Sequence, residues 1–232
     1  MDASDRKNDF IVEDLGLIEY QKALSYQLTL VEKISKQEDL NRIIFCSHPP
    51  VVTLGKNSQT EDVYGWAGEI VHVSRGGRAT YHGPKQLIIY PIINLKRSSC
   101  GLDVIQFVRN LEQSLCDTLK NLYNITSVGN DGKDRATGVW IGSKKIASIG
   151  VAVKRWTTYH GMAINLYNDP LAFTGINPCG YSSEVMISLQ EILNIKAKSE
   201  SESENGSEIE SENGSEIDIN KLKKTFLNNL II

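Results

Sequence analysis

The chain has 232 residues, 41% of them apolar, enough for one ordinary domain with a single core. The formal charge of −3 hides an uneven distribution, because eight of the 28 acids fall in residues 199–218, which carry no base. The rest of the chain has 25 bases against 20 acids, a mild excess without the dense basic and aromatic clustering of a nucleic-acid binder. No stretch approaches the roughly 18 apolar residues of a membrane span, and the polar start MDASDRKNDF resembles neither a signal nor a transit peptide. Cys46, Cys100, Cys116 and Cys179 are widely spaced with no CxxC, which argues against a zinc site or disulfide framework and for a reducing cytoplasm.

In chain order, Tyr20, Ala23, Leu24, Leu28, Val31 and Ile34 recur at helical spacing, predicting an amphipathic helix over 19–34. RIIFCSHPPVVTLG at 42–55 reads as two strand runs broken at Pro49 and Pro50, with His48 either a polar group at a site rim or a solvent-facing turn residue. EIVHVSRGG begins as a strand and ends in Gly76 and Gly77, where backbone approaches a ligand without Cβ interference. Arg75, Arg78, Thr80, Tyr81 and His82 make this a donor-rich loop, and the apolar run 86–95 reads as a buried strand beneath it. Behind an Asp103 cap, Ile105, Val108, Leu111, Leu115, Leu119 and Leu122 predict a core-facing helix stripe, with Cys116 as packing.

GVWIGSKKIASIGVAV predicts a hairpin turning at Gly142 and Ser143, with Lys145 near the start of its second strand. YHGMAINL is a further strand, and the small residues Gly150, Gly161 and Ala163 suggest room for a slender alkyl chain between neighbours. Cys179, between Pro178 and Gly180, sits on a turn rather than in a periodic apolar segment. A lysine beside such a thiol activates it as a nucleophile, whereas an isolated cysteine is most often a small hydrophobe. SSEVMISLQEIL predicts a helix opened by Ser182 or Ser183. Residues 203–210 and 211–218 are a tandem polar octapeptide, read as a disordered insertion whose Asn-Gly-Ser sequons are accidents of composition. Leu222, Phe226 and Leu230 then predict a helix returning to the body, so the expected organisation is 1–198 catalytic, 199–218 insertion and 219–232 terminal helix.

Interspersed strands and helices, with several short turns and no phosphate-binding loop motif, predict an α+β (mixed α/β) domain with a mixed, largely antiparallel sheet and packed helices. Four ordered segments, RGGRATYHGPKQ at 75–86, KIASIG at 145–150, HGMAIN at 160–165 and INPCGY at 176–181, together resemble the lipoyl(octanoyl) transferase family over residues 15–195. One departure is Lys85, where the family usually has Gly, which puts the loop after His82 in question.

The resemblance implies the fold of biotin and lipoate protein ligase catalytic domains. It also implies transfer of an octanoyl group from octanoyl acyl carrier protein to a lysine of lipoyl domains, those of 2-oxoacid dehydrogenases and the glycine cleavage H protein. Cys179 and Lys145 are then the catalytic pair. Arg75, Gly76, Gly77, Arg78, Ala79, Thr80, Tyr81 and His82, with Ser148, Ile149, Gly150, Gly161, Met162 and Ala163, line the substrate pocket, and His160 is accessory. Neither cofactor, metal, nucleic acid nor membrane is implied. The competing readings are an ATP-dependent lipoate ligase, which needs no thiol at 179, and a non-catalytic acyl- or carrier-binding protein, which needs neither Lys145 nor Cys179.

Overall fold

The computed structural model describes residues 10–130, 136–203 and 216–232, the last four of the middle range as backbone only. Its main sheet has six strands in the order β1 (Phe10–Leu17), β2 (Asn41–Ser47), β6 (Gln86–Ile92), β9 (Thr157–Asn165), β8 (Lys144–Lys154) and β7 (Gly138–Ile141). Only β1 and β2 run parallel; every other neighbouring pair is antiparallel. A smaller sheet places β3 (Val51–Leu54) between β4 (Glu69–His72), parallel to it, and β5 (Ala79–His82), antiparallel.

Side-chain alternation gives the main sheet two buried faces. Ile44, Cys46, Ile88 and Tyr90 pack with Ala23, Leu30, Val31 and Ile34 of α1 (Tyr20–Ser35). Ile43, Phe45, Leu87, Ile89 and Met162 pack on the other side with Phe107, Leu111, Leu115 and Leu119 of α2 (Val104–Tyr123). α3 (Leu189–Ser203) adds Leu189 and Ile192, and α4 (Ile219–Asn229) adds Leu222 and Phe226. Asp103 caps α2 by accepting the Gln106 N–H at 2.9 Å, and Asn124 closes it in the left-handed region.

Several expectations are displaced. Periodicity gave no strand at 10–17, because β1 is a largely exposed edge strand. Ile105, read as core, is 71% exposed on the first turn of α2, while Phe107 is buried. The helix expected from Ser182 or Ser183 starts later: Ser183–Val185 is a single 3₁₀ turn, and α3 begins after Ser188. There Glu191 donates its N–H to the Ser188 hydroxyl at 3.2 Å and accepts the Ser188 N–H at 2.9 Å, a reciprocal cap stronger than any signal at 182.

The boundaries expected for the insertion also move. α3 continues to Ser203, and Ile217 is buried in the core, so helix and core claim both ends of the 199–218 stretch; residues 204–215 lie outside the described residues. Among the described residues no helix is long and apolar enough to cross a membrane. Ile217→Ala should therefore destabilise the protein by about 2–4 kcal/mol, as for a core aliphatic, and urea unfolding measures this. A change within about 0.5 kcal/mol would return Ile217 to the solvated insertion.

Candidate active site

The four segments singled out by sequence converge on one cavity of about 490 Å³. Cys179 reaches it from a single 3₁₀ turn, Pro178–Gly180, in which Cys179 has φ 55° and Gly180 φ 81°. Proline enters such a turn with φ preset, and glycine supplies the second left-handed residue without strain. A non-glycine residue in this region costs on the order of 1 kcal/mol and persists only where neighbours fix it. The fixing segment is 61–65: the Asp62 carbonyl accepts the Asn177 N–H at 2.9 Å, the Glu61 carbonyl accepts Asn177 Nδ2 at 2.8 Å, and the Gly175 carbonyl accepts the N–H groups of Tyr64 and Gly65.

Lys145 is on β8 and is 1% exposed. Its Nζ lies 3.5 Å from Cys179 Sγ and 5.5 Å from the centre of the Trp140 ring. Glycine at 138 makes this path possible. A Cβ there would come 2.6 Å from Lys145 Cε and 2.1 Å from the Ala147 carbonyl oxygen, and φ is 147° besides. The lysine chain thus runs over the β7 backbone at Gly138 before meeting the sulfur. An ammonium withdrawn from water and set against a sulfur is an arrangement that supports an activated nucleophile.

The other expected residues divide by strand alternation. Arg75, Gly76, Gly77, Arg78, Thr80 and His82 line the cavity, as do Ser148, Ile149, Gly150, His160, Gly161, Met162 and Ala163. Ala79 and Tyr81 do not, because on β5 they point away from Thr80 and His82. Tyr81 instead packs against Trp66 and Phe173 and donates its hydroxyl to Asp169 at 2.7 Å. Small residues do face each other, with Ser148 opposite Ala163 and Gly150 opposite Gly161. At the two glycines the Cβ direction is already taken: a Cβ at 150 would meet Arg75 Cδ at 3.0 Å, and one at 161 would meet the Ile89 carbonyl at 2.1 Å. They allow close backbone packing instead.

Tyr20, Tyr90 and Val108 also line the cavity, but in the sequence they sit within periodic apolar segments and read as core. His48 is fully buried rather than at a rim, accepting the Tyr90 hydroxyl at 2.7 Å and hydrogen-bonding the Ile18 carbonyl at 2.7 Å. Lys85 does not adopt a positive φ, and its Nζ donates to the Asn168 carbonyl at 3.0 Å, so the loop as it stands accommodates a lysine there. Among the described residues no cluster of three or more metal-ligating side chains occurs.

The charged groups differ in what holds them. Arg75 is 6% exposed and donates to the Thr53 hydroxyl and carbonyl and to the Gly76 and Arg78 carbonyls, all at 2.7–3.0 Å. Burial alone would raise the Asp62 carboxyl, but its bonds from Arg78 and Gln59 hold it below the usual carboxylate range. His160 is pulled down to about 3, by burial first and the Arg75 charge second. His82 is held well below its ordinary value by burial, then by His48 and Arg75, and His48 is lowered by burial. The histidines are thus neutral at pH 7 and poor proton carriers.

The match to known proteins follows this geometry. The model of the lipoyl protein ligase A/B catalytic domain matches residues 19–230. The chain belongs to that family. It is 44% identical over 202 residues to the octanoyltransferase of Bdellovibrio bacteriovorus, covering 81% of this chain and 91% of that protein. It is 38% identical over 189 residues to the octanoyltransferase of Alkaliphilus metalliredigens, covering 78% and 84%. Among solved structures, a bipartite lipoate protein ligase of Thermoplasma acidophilum superposes with TM-score 0.58 at 16% identity, covering 95% of this chain and 82% of that one. The biotin protein ligase of Aquifex aeolicus gives 0.52 at 14%, covering 96% and 68%. These structures share the fold expected from sequence.

The buried histidines give a pH signature. The unfolded chain protonates each near pH ~6.5, whereas folded His160 does so only near 3, so stability is full above pH 6.5 and falls as pH drops through that window. Each such histidine contributes a slope of up to about 1.4 kcal/mol per pH unit. Melting temperature should fall between pH 7 and 5, above the range where most carboxylates titrate. His160→Asn, which tolerates φ 59°, should flatten the profile, and a flat wild-type profile would refute the assignment.

Proposed function

We propose that this protein is an octanoyltransferase that carries its acyl group on Cys179. The observation that supports this reading above the rest is the contact of Lys145 Nζ with Cys179 Sγ at the cavity. In the first half-reaction the sulfur attacks the thioester carbonyl of an octanoyl acyl carrier protein. A new carbon–sulfur bond forms, and the carbonyl electron pair moves to oxygen. Collapse returns that pair and expels the carrier thiol, which takes up a proton.

In the second half-reaction a lysine amine of a lipoyl domain attacks the enzyme thioester, loses a proton as the amide forms, and releases Cys179. Thioester to amide is downhill, so the scheme needs no nucleotide. Lys145 acts twice: it stabilises the sulfur anion electrostatically and relays the acceptor's proton. His82 and His160 are weaker candidates for that relay, since burial keeps both from holding a proton near neutrality. The acceptors are the lipoyl domains of 2-oxoacid dehydrogenases and the glycine cleavage H protein, and a free thiol nucleophile suits a reducing cytoplasm.

A lipoate ligase would form its intermediate on a nucleotide and would have no use for the sulfur that Lys145 approaches. Incubation with octanoyl acyl carrier protein should add one octanoyl group to the intact mass, removable by hydroxylamine and absent in Cys179→Ala. Lys145→Met should slow acylation on the order of 100-fold or more. Acylation that requires free octanoate and ATP would overturn the reading in favour of a ligase.

A further inference from the structure

Negative charge forms at two atoms during acylation, the sulfur and the thioester carbonyl oxygen, and two backbone donors of the adjoining loops are already engaged. The Gly180 N–H donates to the Asn177 carbonyl at 3.0 Å and the Gly76 N–H to the Val151 carbonyl at 3.2 Å. Among the side-chain donors, Arg75 commits both terminal nitrogens to oxygens of its own loop and of Thr53, leaving only its buried Nε without a partner.

Arg78 differs. Its guanidinium covers Gly180, so closely that a Cβ on that residue would lie 2.5 Å from Nη1 and 2.9 Å from Cζ. Asp62, fully buried, takes the other two nitrogens: Oδ2 accepts Nε at 3.1 Å and Oδ1 accepts Nη2, while Glu61 adds a contact at 3.7 Å. Nη1, the nitrogen next to the cysteine turn, makes no hydrogen bond among the described residues and belongs to a side chain that lines the cavity. The carboxylate is itself fixed, accepting the Gln59 N–H at 3.0 Å, and the Asp62 carbonyl holds Asn177 two residues before the nucleophile. A single turn, Thr60–Asp62, therefore sets the position of both the cation and the cysteine turn.

We propose that Arg78 supplies the further positive charge that stabilises the anion formed at Cys179 and its bound thioester, and that Asp62 is the positioning residue that aims it. The proposal rests on Cys179 as the nucleophile. When the carbonyl π pair moves to oxygen, Nη1 donates a hydrogen bond to that oxygen, and the bond weakens again as the pair returns and the carrier thiol leaves.

The test compares alkylation of Cys179 by anionic iodoacetate and neutral iodoacetamide in the full-length protein at one pH and low salt. Arg78→Gln should lower the ratio of the two rates about five-fold or more, the effect of one unit charge even under water-like screening. Arg78→Lys should keep most of the ratio, and Asp62→Asn should lose it as the guanidinium is released. A purely structural role slows both reagents together, so an unchanged ratio in Arg78→Gln overturns the proposal, as does a wild-type Cys179 that neither reagent modifies. If Asp62→Asn fails to fold, the Arg78→Gln and Arg78→Lys pair still decides. Failure to form an octanoyl-enzyme would sink the transferase reading while leaving this ratio intact, so the two can fail separately.

Discussion

An ammonium held out of water against a sulfur is the constraint to which the rest of the site answers. Withdrawing a charge from water costs several kcal/mol in effective terms, and a ring face and a polarisable thiol return only part of that. Lys145 meets the Trp140 ring and Cys179 there. The arrangement persists because the surrounding backbone leaves the side chain one route. Gly138 admits it over β7, the β7–β8 pairing fixes its root, and the Ile187 N–H on the Lys145 carbonyl ties that root to the segment following the cysteine turn. Stability given up at this point is recovered in the two apolar faces of the main sheet, which have no polar function to serve.

The elements that the sequence revealed most clearly are those whose burial is one-sided. Val31 and Ile34 on α1, and Leu111, Leu115 and Leu119 on α2, are each buried to within about a per cent of completely, as a stripe at helical period requires. β1 was illegible because an edge strand exposes most of its side chains and shows no clean alternation. Ile105 misled for the converse reason: it fits the helical stripe, but at the first turn that stripe has run past the sheet and meets the cavity mouth and solvent. The late start of α3 depended on a choice among serines. Only Ser188 finds a Glu three residues on to complete the cap, a pairing visible in the sequence once the rule is applied.

At the site, motif order carried Cys179, Lys145 and the 75–82 loop together, but it could not say which residues of that loop face inward. Alternation on β5 decides this, admitting Thr80 and His82 and excluding Ala79 and Tyr81. Asp62 was invisible for a different reason. An acid in a short polar segment reads as solvated surface, and its burial arises only because residues 60–65 and 175–177 cross in space, a contact more than 110 residues long in sequence.

Burial lowers the proton affinity of Arg75 and of the histidines alike, but from different starting points, and that difference sorts their roles. Arginine begins with an affinity for a proton several units above neutrality, so desolvation leaves Arg75 cationic, whereas histidine begins near ~6.5 and loses its proton. His48, His82 and His160 are driven neutral, and for the latter two the Arg75 charge adds to the effect of burial. Tyr20 stacks on His82 and hydrogen-bonds His160 at 3.3 Å, so these rings form an uncharged wall while the cations flank the sulfur. A cavity built this way sets cations where an anion forms and neutral rings along the space beside it.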